Sequence, residues 1–155
     1  MAAPQMNTTP PGRHTHAALA PGAVVQVAAA LDAFCQAEQL PQDTAWRLRV
    51  TLDEIVANIV SHGATGAAGA IDVWFQRDGD MVEVRVADDG VPFDPLRQPG
   101  AAVTAPLEEL RPGGLGIVLV KGLMDEVRYE RTTRNILILR KRLDAGTDPG
   151  RTGHP

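Results

Sequence analysis

Two runs of alternating residues, met across Asp78-Gly79, constrain this chain more than any other feature in it. Ile71, Val73 and Phe75 in the first run fall on one side of a strand, and Val82, Val84 and Val86 do the same in the second, because successive strand side chains face opposite ways. An Asp-Gly step between alternating apolar runs is a strong hairpin signal. A ribbon with one apolar face must bury it against another element, and the preceding sequence supplies two. After Pro21, Val24, Val27, Ala28, Leu31, Phe34 and Cys35 recur at helical spacing. That pattern stops before Leu40-Pro41, since proline disfavours a helical residue before it. A second helix is predicted from Asp43, as N-cap, to His62, with Ala45, Leu48, Leu52, Ile55, Val56 and Ile59 on its apolar face and Gly63 as C-terminal cap.

The second strand runs into Asp88-Asp89-Gly90, and Val91 to Pro112 then carries Pro92, Pro95, Pro99, Pro106 and Pro112, with room for one helical turn near Leu107 to Leu110. So long a loop in a small domain reads as a lid or a binding loop. Gly113-Gly114-Leu115-Gly116 leads into a helix expected from Ile117 to about Met124. Val127 to Glu130 and Ile136 to Arg140 read as two further strands around a polar turn at Arg131 to Arg134, and His14 to Leu19 carries a weak strand signal. Paired strands interleaved with helices predict an α+β fold: a two-layer α/β sandwich with a mostly antiparallel, mixed sheet and helices on one face. The proline-bearing residues 1–20 are expected to be a flexible tail, 21–143 one folded unit, and 144–155 a second flexible tail.

The 155 residues suffice for one domain and fall short of two. Aromatic residues make up only 4% of the chain, so the core must be built from Val, Leu and Ile. A net charge of −4 leaves no basic stripe of the kind that binds nucleic acid. The locally basic stretch Arg128 to Arg142 alternates with apolar residues, as a strand with a solvated face does. Cys35 is the only cysteine. It offers neither an internal disulfide nor a zinc cluster, and it falls on the apolar stripe of the first helix. No apolar run approaches the ~20 residues of a membrane span, and Met1 to Ala20 has no signal pattern. A cytoplasmic protein with no direct nucleic-acid or membrane role is the expectation.

Three clusters can carry chemistry. Glu54 and Asn58 lie one helical turn apart, on a polar strip with Thr51 and His62. A carboxylate there can accept a proton, and an amide oxygen is a hard ligand suited to magnesium. The run Asp88-Asp89-Gly90-Val91-Pro92-Phe93-Asp94 places a carboxylate at a strand end, where it can accept a hydrogen bond from an exocyclic amine such as that of adenine. Gly113 to Gly116 precede a helix, an arrangement whose backbone N–H groups can cradle a phosphate. Each cluster alone also fits an ordinary solvated helix face, polar turn or flexible hinge.

Together, and in this order, Glu-x-x-x-Asn, Asp-x-Gly-x-Pro-Phe-Asp and Gly-Gly-x-Gly closely resemble the N, G1 and G2 boxes of the GHKL ATPases, the Bergerat-fold group of histidine kinases, gyrase B, Hsp90 and MutL. Within that group the chain looks like the anti-sigma-factor serine-protein kinases, the RsbW and SpoIIAB type. Leu123 to Val127 (Leu-Met-Asp-Glu-Val) and Asn135 to Leu139 (Asn-x-Leu-x-Leu) add to the likeness, which covers roughly residues 20–143. The resemblance implies that Glu54 is the general base, Asn58 the magnesium ligand, Asp88 the reader of the adenine amine and Gly90 the glycine that closes on the base. It matches Gly114 and Gly116, with Gly113 and Leu115 beside them, to the phosphate-binding segment, and 95–112 to an ATP lid.

The implied cofactors are ATP and Mg2+, and the implied activity is transfer of the γ-phosphate to a serine of a partner. That partner would be a STAS-domain anti-sigma antagonist, with a sigma factor as second partner and a homodimer as the assembly. Two other readings compete: a non-catalytic module whose lid responds to nucleotide, and a detached histidine-kinase catalytic domain. Arg134 stands before Asn135 where many relatives have glycine, and Val56-Ala57 replaces small polar residues. Lys121, Arg111 and Arg97 are the candidate cations for the γ-phosphate, and His62 matches a frequent family histidine without a derivable role.

Overall fold

A computed structural model describes residues 13–63, 69–92, 94–97 and 114–143. Along the described chain the elements are β1 (His14–Ala18), α1 (Gly22–Ala37), α2 (Gln42–Gly63), β2 (Ala70–Asp78), β3 (Met81–Asp88), a short 3-10 turn (Pro95–Arg97), α3 (Gly114–Leu123), β4 (Glu126–Arg131) and β5 (Asn135–Arg142). The five strands form one sheet in the order β1-β2-β3-β5-β4. All four pairings are antiparallel, which takes the expected mostly antiparallel sheet to its limit among the described strands.

The hairpin forms where it was expected, one residue further on. Asp78 pairs with Met81, so the two-residue loop is Gly79-Asp80, with Gly79 at φ +60°. Glycine at the first loop position is the requirement of a type II′ turn. Register then places Val73 against Val86 and Phe75 against Val84, and continues to Leu137 and Leu139 on β5. These side chains form one apolar face. Val27, Leu31 and Phe34 of α1 and Leu48, Leu52, Ile55 and Val56 of α2 cover it in a single buried cluster. Phe34 stacks on Phe75 with ring centroids 5.3 Å apart. Helices therefore occupy one face of the sheet.

Helix α1 ends in a Schellman motif. Leu40 N–H bonds to the Cys35 carbonyl and Gln39 N–H to that of Gln36, and Gln39 takes the left-handed position at φ +50°, where glycine is usual. Helix α2 starts earlier than the sequence predicts. The Pro41 carbonyl accepts the first helical bond, from Ala45 N–H. Asp43 thus lies inside the first turn rather than at the N-cap, and it pairs with Arg47 at 2.9 Å. Thr51, placed on the polar strip by spacing, is fully buried, and its hydroxyl has no hydrogen-bond partner among the described residues.

The tail expected over 1–20 is corrected. His14–Ala18 pairs with β2 from Trp74 to Ala70, and Ala17 is 2% exposed in the core. Helix α3 also begins three residues early, at Gly114 rather than Ile117, so Gly114, Leu115 and Gly116 form its first turn. Gly113, Phe93, the lid beyond Arg97, the turn at Leu107 to Leu110, and residues 1–12 and 144–155 lie outside the described residues.

The outer face of the sheet is charged, as the alternation in Arg128 to Arg142 predicts. Arg140 pairs with Glu83 and Glu126. Asp125, from Leu-Met-Asp-Glu-Val, holds the end of β5 by accepting from Arg142 N–H and from Lys141 Nζ. The Arg142 N–H bond is the main cause that holds its carboxyl below the usual aspartate range; the Lys141 bond and charge add to it, and partial burial opposes it.

Candidate functional site

Helix α2, the end of β3, the start of α3 and strands β4 and β5 border one cleft of about 520 Å3, part of it open to solvent. Its apolar walls are Ile55 and Ile59 from α2, Val91 and Pro95 after β3, Ile117 from α3 and Leu137 from β5. The polar groups reaching it are Asn58 and His62 of α2, Asp88 at the end of β3, Tyr129 of β4 and Asn135 of β5. A largely apolar slot with a few convergent polar groups suits a flat heteroaromatic ring with polar edges.

Asp88 is 5% exposed. Its Oδ1 accepts from Gly90 N–H at 2.9 Å and from Asn135 Nδ2 at 3.1 Å. No described residue donates to Oδ2, which leaves that oxygen to accept from a ligand. Gly90 is buried but does not line the cleft. It acts through its backbone, with its N–H on Asp88 and its carbonyl accepting from Asn135 Nδ2. Asp89 faces the other way: Ala70 N–H and Arg134 Nε donate to its carboxylate. Asp94 caps the Pro95–Arg97 turn by accepting from Leu96 N–H.

Arg134, the departure from glycine, thus has a defined role. It spans from Asp89 at 2.7 Å to Asp72 on β2 at 2.8 Å. Asp72 also accepts from His14 Nε2 and His16 Nδ1, both at 2.7 Å. Burial alone would raise the Asp72 carboxyl. The bonds from His16, His14 and Arg134, with the Arg134 charge, more than offset it and hold the carboxyl below the usual aspartate range.

Asn58 and Glu54 stand one turn apart on α2, both half-buried, and no described residue engages either side chain. Asn58 lines the cleft and Glu54 lies outside its lining. The first turn of α3 borders the cleft through Ile117. A helix start leaves its first N–H groups without partners in the helix, here, among the described residues, those of Gly114, Leu115 and Gly116. The structure thus brings together Asn58, Asp88 and the α3 start. Among the described residues no group of three or more His, Cys, Asp or Glu forms a metal cluster, and no helix is long and apolar enough to cross a membrane.

Sequence reasoning missed Tyr129 and Asn135 as cleft residues. Asn135 opened the Asn-x-Leu-x-Leu pattern, but its bond to Asp88 spans 47 residues, beyond what local spacing shows.

An α+β sandwich with such a cleft between its helices and the sheet end defines a nucleotide-binding domain of the GHKL type. A family model for the histidine kinase-like ATPase domain matches residues 17–141, and the chain belongs to that family. Membership implies ATP binding. Among curated relatives, the serine/threonine-protein kinase BtrW of Bordetella bronchiseptica is 32% identical over 114 residues, covering 69% of this chain and 80% of BtrW. The serine-protein kinase RsbW of Oceanobacillus iheyensis is 30% identical over 99 residues, covering 61% of this chain and 63% of that protein. RsbW of Bacillus cereus is 34% identical over 85 residues, covering 52% of this chain and 53% of its own length. The chain therefore matches less than two thirds of either RsbW protein.

Proposed function

We propose that this protein is an ATP-dependent serine-protein kinase of a partner-switching circuit. The observation that carries the reading is a carboxylate, Glu54, and an amide at the cleft one turn away, Asn58, neither engaged by any described residue. The names of the relatives support the same class.

In this reading the adenine lies between Ile55, Ile59 and Leu137 and donates its 6-amino group to Asp88 Oδ2. The triphosphate runs toward the N–H groups at the start of α3, where the helix dipole favours anions. The Asn58 amide oxygen fits a magnesium ion, which takes few protein ligands and completes its shell with phosphate oxygens and water; when bound, the ion would neutralise phosphate charge. Glu54 accepts the proton of a partner's serine as its oxygen bonds to the γ-phosphorus and the bond to the bridging oxygen breaks, releasing ADP. The substrate in this reading is a STAS-domain anti-sigma antagonist. A sigma factor is the second partner, and the protein acts as a cytoplasmic homodimer. The domain spans the sheet and helices to residue 143, with 95–112 as its lid.

The test is Glu54→Gln, assayed with γ-labelled ATP and a panel of STAS-domain proteins. Transfer should fall by about 10²–10⁴-fold while ADP affinity stays near wild type. Undiminished transfer would remove Glu54 from the base role. Nucleotide-dependent partner binding without any phosphoprotein in the wild type would replace the kinase by a binding module.

A further inference from the structure

Asn135 is 6% exposed and sits in register between Asp88 on β3 and Arg131 on β4. Its Nδ2 donates to Asp88 Oδ1 at 3.1 Å, to the Gly90 carbonyl at 3.3 Å and to the Val91 carbonyl at 2.8 Å. Its Oδ1 accepts from Tyr129 OH at 2.6 Å and from Arg131 Nη1 at 3.1 Å. The two ends of the amide cannot be exchanged. A flipped side chain would set its oxygen against a carboxylate and two carbonyls, and its NH2 against a guanidinium, which only donates.

We infer that Asn135, locked by Tyr129 and Arg131, is the positioning residue that aims Asp88 at the base. Discrimination for a 6-aminopurine therefore depends on the β4–β5 clamp as well as on Asp88 itself. The inference rests on the proposal that Asp88 reads the adenine amine. The two donors to Asp88 among the described residues converge on Oδ1, and this fixes the rotation of the carboxylate. A carboxylate held at one oxygen presents the other in one direction, whereas one free to turn divides its time among directions and loses part of the bond to the ligand. The same amide holds the Gly90 and Val91 carbonyls, so the loop that forms one wall of the slot is tied to the sheet by the group that orients Asp88. Tyr129 and Asn135 both line the cleft, which puts the lock beside the ligand.

The experiment compares ADP with purine riboside 5′-diphosphate, which lacks only the 6-amino group, by titration calorimetry on wild type, Asn135→Ser and Tyr129→Phe. A charge-assisted hydrogen bond to the amine is worth roughly 10- to 100-fold in affinity, and the wild type should show a preference of that order. Asn135→Ser should cut the preference about tenfold and Tyr129→Phe about threefold, both by weakening ADP while the affinity for the purine analogue stays constant. If both nucleotides weaken in parallel, or the preference is unchanged, Asn135 is a structural residue only and the inference fails. A wild type that binds the two equally would instead refute the base-reading role of Asp88, a failure separable from the first. Should Asn135→Ser fail to fold, Tyr129→Phe, which keeps the ring, decides the question alone.

Discussion

Replacing Arg134 by Ala should cost about 2 kcal/mol at neutral pH, more than a surface arginine normally contributes. The figure follows from its partners. Arg134 Nη1 meets Asp72 Oδ2 at 2.8 Å, Nε meets Asp89 Oδ1 at 2.7 Å and Nη2 donates to the Ala70 carbonyl. Asp89 is 42% exposed at its side chain, so water replaces most of that pair, worth at most about 1 kcal/mol. Asp72 is only 12% exposed, and losing a charge-assisted bond there costs about 1.5–3 kcal/mol. The entropy of ordering a long side chain offsets part of the sum.

The loss should also depend on pH. The Asp72 carboxyl is held below its ordinary range in the folded state, so its contribution is fully present above about pH 4 and is lost as pH falls through the lower folded value. Removing the Arg134 bond and charge moves that value upward. The gap between wild type and Arg134→Ala should therefore be widest near pH 7 and narrow below about pH 4. Urea unfolding followed by circular dichroism from pH 3 to 7 measures both. A loss under about 0.5 kcal/mol at pH 7, or a gap that stays constant down to pH 3, would refute the argument that Arg134 ties β2 to the loop after β3.

Thr51→Val keeps the shape of a fully buried side chain and removes a hydroxyl without a described partner; it should stabilise by about 1 kcal/mol, read from the urea midpoint. Gln39→Gly relieves the left-handed residue of the α1 cap and should raise stability by about 0.5–1 kcal/mol; a lower melting temperature would show that the Gln39 side chain does more than the cap requires. Burial, aided by the Asp32 charge, pushes the Cys35 thiol up to about 11. Native protein should therefore react with a disulfide reagent at pH 8 far more slowly than urea-unfolded protein, and equal rates would contradict a core role.

Much of the fold was legible because its signals are local. The Val-x-Val alternation and the Asp78-Gly79 step gave the hairpin, and period-3.6 spacing gave α1 and α2. What stayed hidden depends on distant partners. The signal in β1 is weak by itself, and the strand exists because Ala17 completes the apolar face beside Ile71. Thr51 looked polar by residue type, yet tertiary packing buried it. The cap was placed two residues late, at Asp43, because Pro41, which can still supply a carbonyl, takes the cap position. At the cleft, Asn58 and Asp88 could be found from motif spacing. Asn135 and Arg134 could not be assigned roles, since the partners they hold on β2 and at the end of β3 lie 44 to 64 residues away along the chain.

The paired acids Asp88-Asp89 and the paired residues Arg134-Asn135 work as two teeth of a key cut on opposite sides of the sheet. One tooth, Asn135 on Asp88, engages the helix side; the other, Arg134 on Asp89, engages the outer side. Slipping β5 by one residue against β3 would disengage both at once, because side chains exchange faces at every step. Arg134 would be driven toward the nucleotide slot and Asn135 toward the charged exterior. The turn at 132–134 is thus a place where an insertion or deletion of a single residue cannot be absorbed silently, although it is short, polar and at the surface. Two-residue changes, which restore the facing of every side chain, should be the smallest length variation that this edge of the domain tolerates.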